Sequence, residues 1–294
     1  MKTIIPGEVK TSDLHAILLG AVSPRPICFA STIDENGQPN LSPFSFFNVF
    51  GSNPATLIFS PARRVRDNTT KHTLSNVYAN KEVVINVVSY NMVQQASLSS
   101  CEYPVGVNEF EKAGFTAIPS EKIKPFRVKE SPVQIECIVK QIIETGTNGG
   151  AGNLVICEPV AIHVNEDVLT EQGKIDPHKI DLVARMGGDY YCRASGDAVF
   201  EVAKPNTQLG IGVDALPASI KTSHILTGNN LGQLGNVHEM PSIDPTFHDD
   251  HLKNIVQYFS VNPTDMEREL HLYAKTLLDD NKVDAAWQVL LSNA

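Results

Sequence analysis

Leu41-Ser-Pro-Phe-Ser-Phe-Phe-Asn-Val-Phe50 places four of the chain's twelve phenylalanines within seven residues. Phe44, Phe46, Phe47 and Phe50 alternate with or touch Ser42, Ser45 and Asn48. Phenylalanine mostly fills cores, so taken alone the stretch reads as aromatic core. The same run, edged with hydroxyls and an amide and turning back on itself at Ser42-Pro43, also suits a flat ligand with a polar edge.

The flanking sequence is β-rich from 21 to 164. PICFASTI (26–33) is a short apolar, β-branched run, and the DENGQP that follows contains Asn36-Gly37. That dipeptide predicts a type I′ hairpin, whose two central residues need positive φ. TLIFSP (56–61) and EVVINVV (82–88) read as further buried strands, with TKHTLSNVYAN (70–80) as a short helix between them. QIECIVKQIIET (134–145) and NLVICEPVAIHV (153–164) flank GTNGGA and predict a second hairpin. Strands joined by hairpins and short helices lack the alternation of a doubly wound sheet. A closed antiparallel barrel with inserted helices is expected, since closure removes exposed edges.

From about 205 the chain becomes rich in Gly, Pro and Asn and reads as an irregular arm. Thr246–Asp249 and Thr264–Glu267 each set a hydroxyl three residues before a carboxylate and predict capping boxes. Met266, Leu270, Tyr273 and Leu277 then fall at helical spacing, and DAAWQVLLSN suits a last helix. The expected division is 1–204 for the β-rich domain and 205–294 for the arm and helical extension.

A net charge of −9 argues against a nucleic-acid partner, because phosphate backbones demand clustered Lys and Arg. No stretch approaches the ~18 uninterrupted apolar residues of a membrane span. Pro6, Glu8, Lys10 and Asp13 break up any signal-peptide core, so a cytoplasmic protein without a membrane partner is expected. The five cysteines are scattered and form no CxxC pair, which argues against disulfides and structural zinc. Cys28 and Cys192 lack an obvious activating charge and read as packing residues.

Against this acidic background, Arg63, Arg64, Arg66 and Lys71 cluster just before the predicted 70–80 helix. A helix N-terminus offers unpaired amides and partial positive charge. Lys71 and Thr73 would add an ammonium and a hydroxyl, which makes an anion site. The plainer alternative is a solvated basic loop with a threonine cap. His248-Asp-Asp-His251 has imidazoles three apart, but acidic residues are favoured at a helix start in any case, so no metal site is assigned. GTNGGAGN lacks the Gly-Lys-Ser/Thr ending of a phosphate loop. Asn68-Thr-Thr is a glycosylation sequon that a cytoplasmic chain would not use.

Gly20-Ala-Val-Ser-Pro-Arg-Pro-Ile27, the run STIDENGQPNLSPFSFFNVFGSNPATLIFS, Lys71–Asn76, EVVINVV and Leu182–Tyr191 occur in order. Together they resemble the flavin reductase-like, FMN-binding split-barrel family that includes flavoredoxins. The resemblance covers roughly 5–200. It implies a mainly β, Greek-key split barrel with inserted helices, and a homodimer with FMN near the subunit interface. It also implies NADH or NADPH as the reductant. Carried over by position, it assigns Ser42, Pro43, Phe44, Ser45, Phe46, Phe47 and Asn48 to the isoalloxazine and ribityl. Ser42, Ser45 and Asn48 would face the flavin while most of the phenylalanines pack beneath it. Ser31 and Thr32 would reach the ribityl or phosphate, and Lys71 and Thr73, within the basic loop that includes Arg64, would hold the phosphate. Arg185, Gly187, Gly188 and Tyr190 would lie near the flavin or the partner subunit. His72 stands where the family often has Asp. No side chain is expected to act as a nucleophile or acid–base group, since the cofactor carries the chemistry. Two other readings stay open: an FMN-bearing electron carrier that serves a redox protein and reacts slowly with NAD(P)H, and a non-enzymatic interaction protein. The 245–294 tail has no counterpart in the resemblance.

Overall fold

The computed structural model describes residues 1–205 and 208–292. The chain forms two compact units, Met1–Phe200 and Glu201–Ala294.

The strands of the first unit are β1 (Arg25–Pro26), β2 (Cys28–Ile33), β3 (Pro39–Phe44), β4 (Phe47–Ser52), β5 (Ala55–Phe59), β6 (Glu82–Val87), β7 (Ala117–Ile118), β8 (Arg127–Val128), β9 (Val133–Glu144), β10 (Asn153–Val164), β11 (Val183–Arg185) and β12 (Tyr191–Arg193). Its helices are α1 (Thr11–Ala21), α2 (His72–Asn80), α3 (Val93–Leu98) and α4 (Glu109–Ala113). Seven strands make one sheet in the order β3-β2-β6-β9-β10-β5-β4, every neighbouring pair antiparallel.

β3 and β4 lie at opposite edges of this sheet, yet only Ser45 and Phe46 join them. Laid flat, six strand spacings of about 4.8 Å would separate those edges by roughly 29 Å. A two-residue link bridges no more than about 11 Å. The sheet is therefore rolled, and the turn falls at Ser45-Phe46 rather than at Ser42-Pro43, which lie within β3.

The sheet is rolled but not closed: among the described residues no ladder joins β3 to β4. The expected closed barrel is corrected to an open one, and the outer edge of β3 supplies the reason. Pro39, Leu41 and Pro43 face alternate residues of β2. Prolines, which lack an amide hydrogen, turn that side of the backbone away from a ladder. The Leu41 amide between them donates to Glu109 Oε2 at 3.0 Å. No donor on that edge is left for β4.

β2 is buried along its whole length, as a strand covered on both faces must be. Cys28 and Ala30 pack with Phe44, Phe59, Val83, Ile85 and, from α2, Leu74 and Val77. Phe29 points the other way, into a core with Leu41, Phe110 and Phe115, and meets the Phe115 ring edge-on at 5.1 Å. Cys28, Cys137 and Cys157 share the first core, and burial pushes all three thiols up, which suits packing residues. The β2–β3 turn is not type I′. Only Gly37 has positive φ, at 81°, while the Asp34 carboxylate accepts the Asn36 and Gln38 amides and holds a longer loop.

The second unit contains α5 (Ala218–Lys221), α6 (Gly228–Gly235), α7 (Asp250–Tyr258), α8 (Pro263–Asp279) and α9 (Val283–Leu291). They enclose their own core, in which Leu234, Leu270, Leu278 and Trp287 are fully buried. The stretch expected to be an irregular arm thus includes α5 and α6, and Thr227 and Asn230 form a reciprocal capping box on α6. Neither expected capping box forms. Asp249 caps α7 and Asn262 caps α8, because Pro263 is preorganised for the first helical position and leaves Thr264 inside the helix. Thr246 donates to Asp244 instead.

Candidate functional site

The loop from Arg63 to Lys71 is held in shape by its own side chains. Asn68, in the left-handed region at φ 58°, accepts from Arg63 Nε at 2.7 Å and donates to the Thr147 carbonyl. Arg64 donates to Thr69 Oγ1 at 2.7 Å and to the Thr70 carbonyl. The glycine hairpin behind it is a clamp: Gly150 donates its amide to the Arg63 carbonyl, and Arg63 donates to Ala151. At Gly149 a β-carbon would stand 2.9 Å from the Arg64 carbonyl oxygen.

This loop delivers Lys71 to the start of α2. No side chain caps that end of the helix, so its first amides are open to an acceptor. A cavity of about 360 Å³ opens there, lined by Lys71, His72, Arg64, Thr69, Thr70 and Ser42 among others. The Lys71 ammonium has no ion-pair partner among the described residues, and burial followed by the charge of Arg64 brings its pKa down to about 8. Beneath it lies a buried polar network. Thr73 donates to Asn40 Oδ1 at 2.9 Å, Asn76 donates to Thr32 at 3.0 Å, and Asn40 donates to Glu109 at 3.0 Å. The remaining wall comes from the segment between α3 and α4, which contributes Ser100, Cys101, Glu102 and Tyr103. A half-buried cation, an uncapped helix start and surrounding hydroxyls fit the phosphate end of a flavin nucleotide.

Of the residues expected at the site, Ser42, Arg64 and Lys71 meet in this cavity. Thr73 and Thr32 are fully buried, with their hydroxyls engaged in the network below it. Ser31 is enclosed within β2, its hydroxyl without a partner. Pro43 and Ser45 are half-buried and do not line the cavity. The phenylalanines divide evenly: Phe44 is core and Phe47 packs against it, whereas Phe46 and Phe50 are exposed. A bulge between Val49 and Gly51 helps turn Val49 and Phe50 both outward. Asn48 is exposed, and its Oδ1 accepts the Val49 amide.

Arg185, Gly187 and Tyr190 lie outside the cavity lining. Arg185 stacks on Tyr191, 4.6 Å from the ring centroid, and Tyr190 is 78% exposed. Gly187 approaches Gly20 so closely that a β-carbon would sit 3.0 Å from the Gly20 Cα. Arg25 seals the junction by donating to the carbonyls of Leu19, Val22 and Met186. His248 and His251 take separate partners, the Thr246 carbonyl and the Tyr273 ring. Asn40, Glu102 and Glu109 were not anticipated as site residues. Asn40 borders the aromatic stretch, but Glu102 and Glu109 carry no local signal and are placed only by tertiary packing.

A family model described as the flavin reductase-like domain matches residues 20–180. An uncharacterised protein of Aquifex aeolicus (strain VF5) is 37% identical over 195 residues, covering 66% of this chain and 97% of that protein. Among solved structures, nitrilotriacetate monooxygenase component B from Bacillus cereus aligns with a TM-score of 0.63 at 29% identity, covering 69% of this chain and 98% of that one. The flavoredoxin of Desulfovibrio vulgaris (Miyazaki F) shares the fold, with a TM-score of 0.54 at 22% identity, over 70% of this chain and 98% of that one. The family match ends before Glu201–Ala294 begins.

Proposed function

The chain belongs to the flavin reductase-like domain family, and from that we propose that it binds FMN in a split barrel and acts as an oxidoreductase, taking hydride from NADH or NADPH and passing electrons to a further acceptor. The observation that carries this reading is Lys71: a desolvated ammonium at an uncapped helix start, without an ion-pair partner among the described residues, inside a polar cavity. Such a group is costly to bury unless an anion completes it. When bound, the flavin supplies the hydride chemistry. The chain's own part is to hold the phosphate with Lys71, the α2 amides and Arg64, and to fix the loop that carries them.

The visible absorption spectrum of the purified protein tests the reading, with FMN added if the preparation is colourless. A flavin spectrum that bleaches within seconds of anaerobic mixing with NADH or NADPH is the expected result. Bound flavin that does not bleach would favour an electron carrier. Failure to bind FMN would favour a non-flavin interaction protein.

A homodimer is part of the proposal. Edge strand β4 exposes Val49 and Phe50, the latter 64% accessible, and α1 buries none of its residues. An exposed apolar strand edge is a surface that proteins usually cover. Phe50→Asp should convert a dimer to a monomer in analytical ultracentrifugation; a wild-type monomer would overturn this part. Among the described residues no helix is long and apolar enough to cross a membrane.

A further inference from the structure

The cavity that offers Lys71 to an anion already holds one of the chain's own. Glu102, on the segment between α3 and α4, reaches across to the basic loop. Its Oε1 lies 2.9 Å from Arg64 Nε and its Oε2 lies 3.0 Å from Arg66 Nη2. One carboxylate thus bridges two guanidinium groups at the edge of the space where a phosphate would sit.

This contact is not needed to shape the loop. Arg64 is held independently by Thr69 Oγ1 and the Thr70 carbonyl, and Arg66 also pairs with Asp67 at 2.9 Å. Glu102 adds negative charge rather than architecture. Its side chain is half exposed, so the pair is screened and weakly held. The cavity lining bears two cations, Arg64 and Lys71, against Asp67, Glu102 and Glu109. Glu109 accepts from the Leu41 amide and the Asn40 side chain, and Asp67 accepts from Thr69. Glu102 is the carboxylate of the three whose hydrogen bonds all go to the basic loop's guanidinium groups. It is therefore the one an incoming anion can displace without breaking the fold.

We propose that Glu102 is an internal competitor for the flavin phosphate, standing on Arg64 and Arg66 in the ligand-free protein and yielding them when a phosphorylated flavin binds. It is thereby a specificity-determining residue: it opposes the phosphate-bearing flavin and leaves the unphosphorylated one unaffected. The inference rests on the flavin reading above and names how that site weighs its ligand's charge.

The test is a titration of the full-length protein with FMN and with riboflavin, for wild type and Glu102→Gln, at low and at moderate salt. Glutamine keeps the shape and an acceptor oxygen but removes the charge. The expected result is FMN binding tighter by about two- to fivefold, the size of one screened charge pair, with riboflavin changed less than about 1.5-fold. The gain should shrink as salt rises. Glu102→Asp, which keeps the charge on a shorter arm, should give an intermediate result. Unchanged or weaker FMN binding in Glu102→Gln overturns the inference, as does equal tightening of both flavins, which would mean a steric effect. Wild-type protein that binds neither flavin overturns the flavin reading itself, and the inference with it.

Discussion

The Lys71 ammonium lies 5.2 Å from the centroid of the Phe44 ring, so the basic loop and the aromatic stretch meet at one point. A ring face is a favourable neighbour for a cation but cannot replace a counter-ion. The arrangement holds Lys71 charged, oriented and available.

Lys71→Ala should therefore weaken FMN binding by about ten- to a hundredfold, the range for loss of a charge-assisted hydrogen bond, and leave riboflavin binding nearly unchanged. Burial, then Arg64, lowers the Lys71 pKa to about 8. The ammonium is present below that pH and lost above it, so wild-type FMN affinity should fall as pH rises past about 8. In Lys71→Ala that decline should vanish. Titration by flavin fluorescence quenching across pH 6.5–9.5 checks both, sampling about a unit and a half on either side of the pKa.

The glycine hairpin predicts an effect at a distance from any ligand. A β-carbon at Gly149 would meet the Arg64 and Val65 carbonyls at 2.9 and 3.1 Å, and backbone on both sides leaves little room to yield. Gly149→Ala should cost about 1–3 kcal/mol of stability and displace the loop that carries Arg64. We expect a lower urea midpoint together with weaker FMN binding. Unchanged FMN affinity alongside reduced stability would show that the hairpin does not position the site.

The strands were legible in the sequence because a covered strand needs continuous or alternating apolar residues, and β2, β5, β6, β9 and β10 all carry that pattern. The rolled, open edge was not, since it depends on Pro39 and Pro43 falling in the same register as Leu41, whose amide is taken by Glu109 sixty-eight residues away. Lys71, Arg64 and Ser42 could be found from local charge and from the resemblance. The burial of Ser31 and Thr32 was not legible, because a hydroxyl on a doubly covered strand looks, in sequence, like one on an open face. α1 escaped notice because it buries none of its residues, and Glu102 because only folding brings it to the arginines.

Glu136 predicts an acid-labile clamp on the rolled sheet. Its side chain is wholly buried on β9, accepts the Glu121 and Lys122 amides at 2.8 and 2.7 Å, and meets His163 Nε2 at 2.8 Å. Burial pushes its pKa up, but these bonds outweigh burial and hold it below the ordinary carboxylate value. A carboxyl lowered in the fold contributes stability above its unfolded pKa and loses that contribution as pH falls through the folded value. Glu136→Gln should cost about 2 kcal/mol or more at neutral pH, because buried donors lose a charged acceptor. It should also flatten the fall in urea midpoint on acidification below the ordinary glutamate pKa of about 4.3. An unchanged acid profile would assign that fall to other carboxylates.

The sole tryptophan separates the two units experimentally. Trp287 is fully buried in the helical core of Glu201–Ala294, whereas every residue lining the Lys71 cavity falls between Asn40 and Glu109. Tryptophan emission therefore reports the helical unit, and bound-flavin absorbance reports the β-rich one. Trp287→Ala removes the largest fully buried side chain among the described residues and should cost about 3–5 kcal/mol, a large share of the roughly 5–15 kcal/mol that holds a whole domain folded. Because no cavity residue belongs to that unit, the variant should lose its helical circular dichroism at a lower urea concentration than wild type yet bind FMN within about twofold of it in the absence of denaturant, the tolerance for sites without shared contacts. Trp287→Phe, a gentler change, should keep both. If Trp287→Ala loses FMN binding while Trp287→Phe retains it, the helical unit supports the flavin site, and the two units do not fold independently.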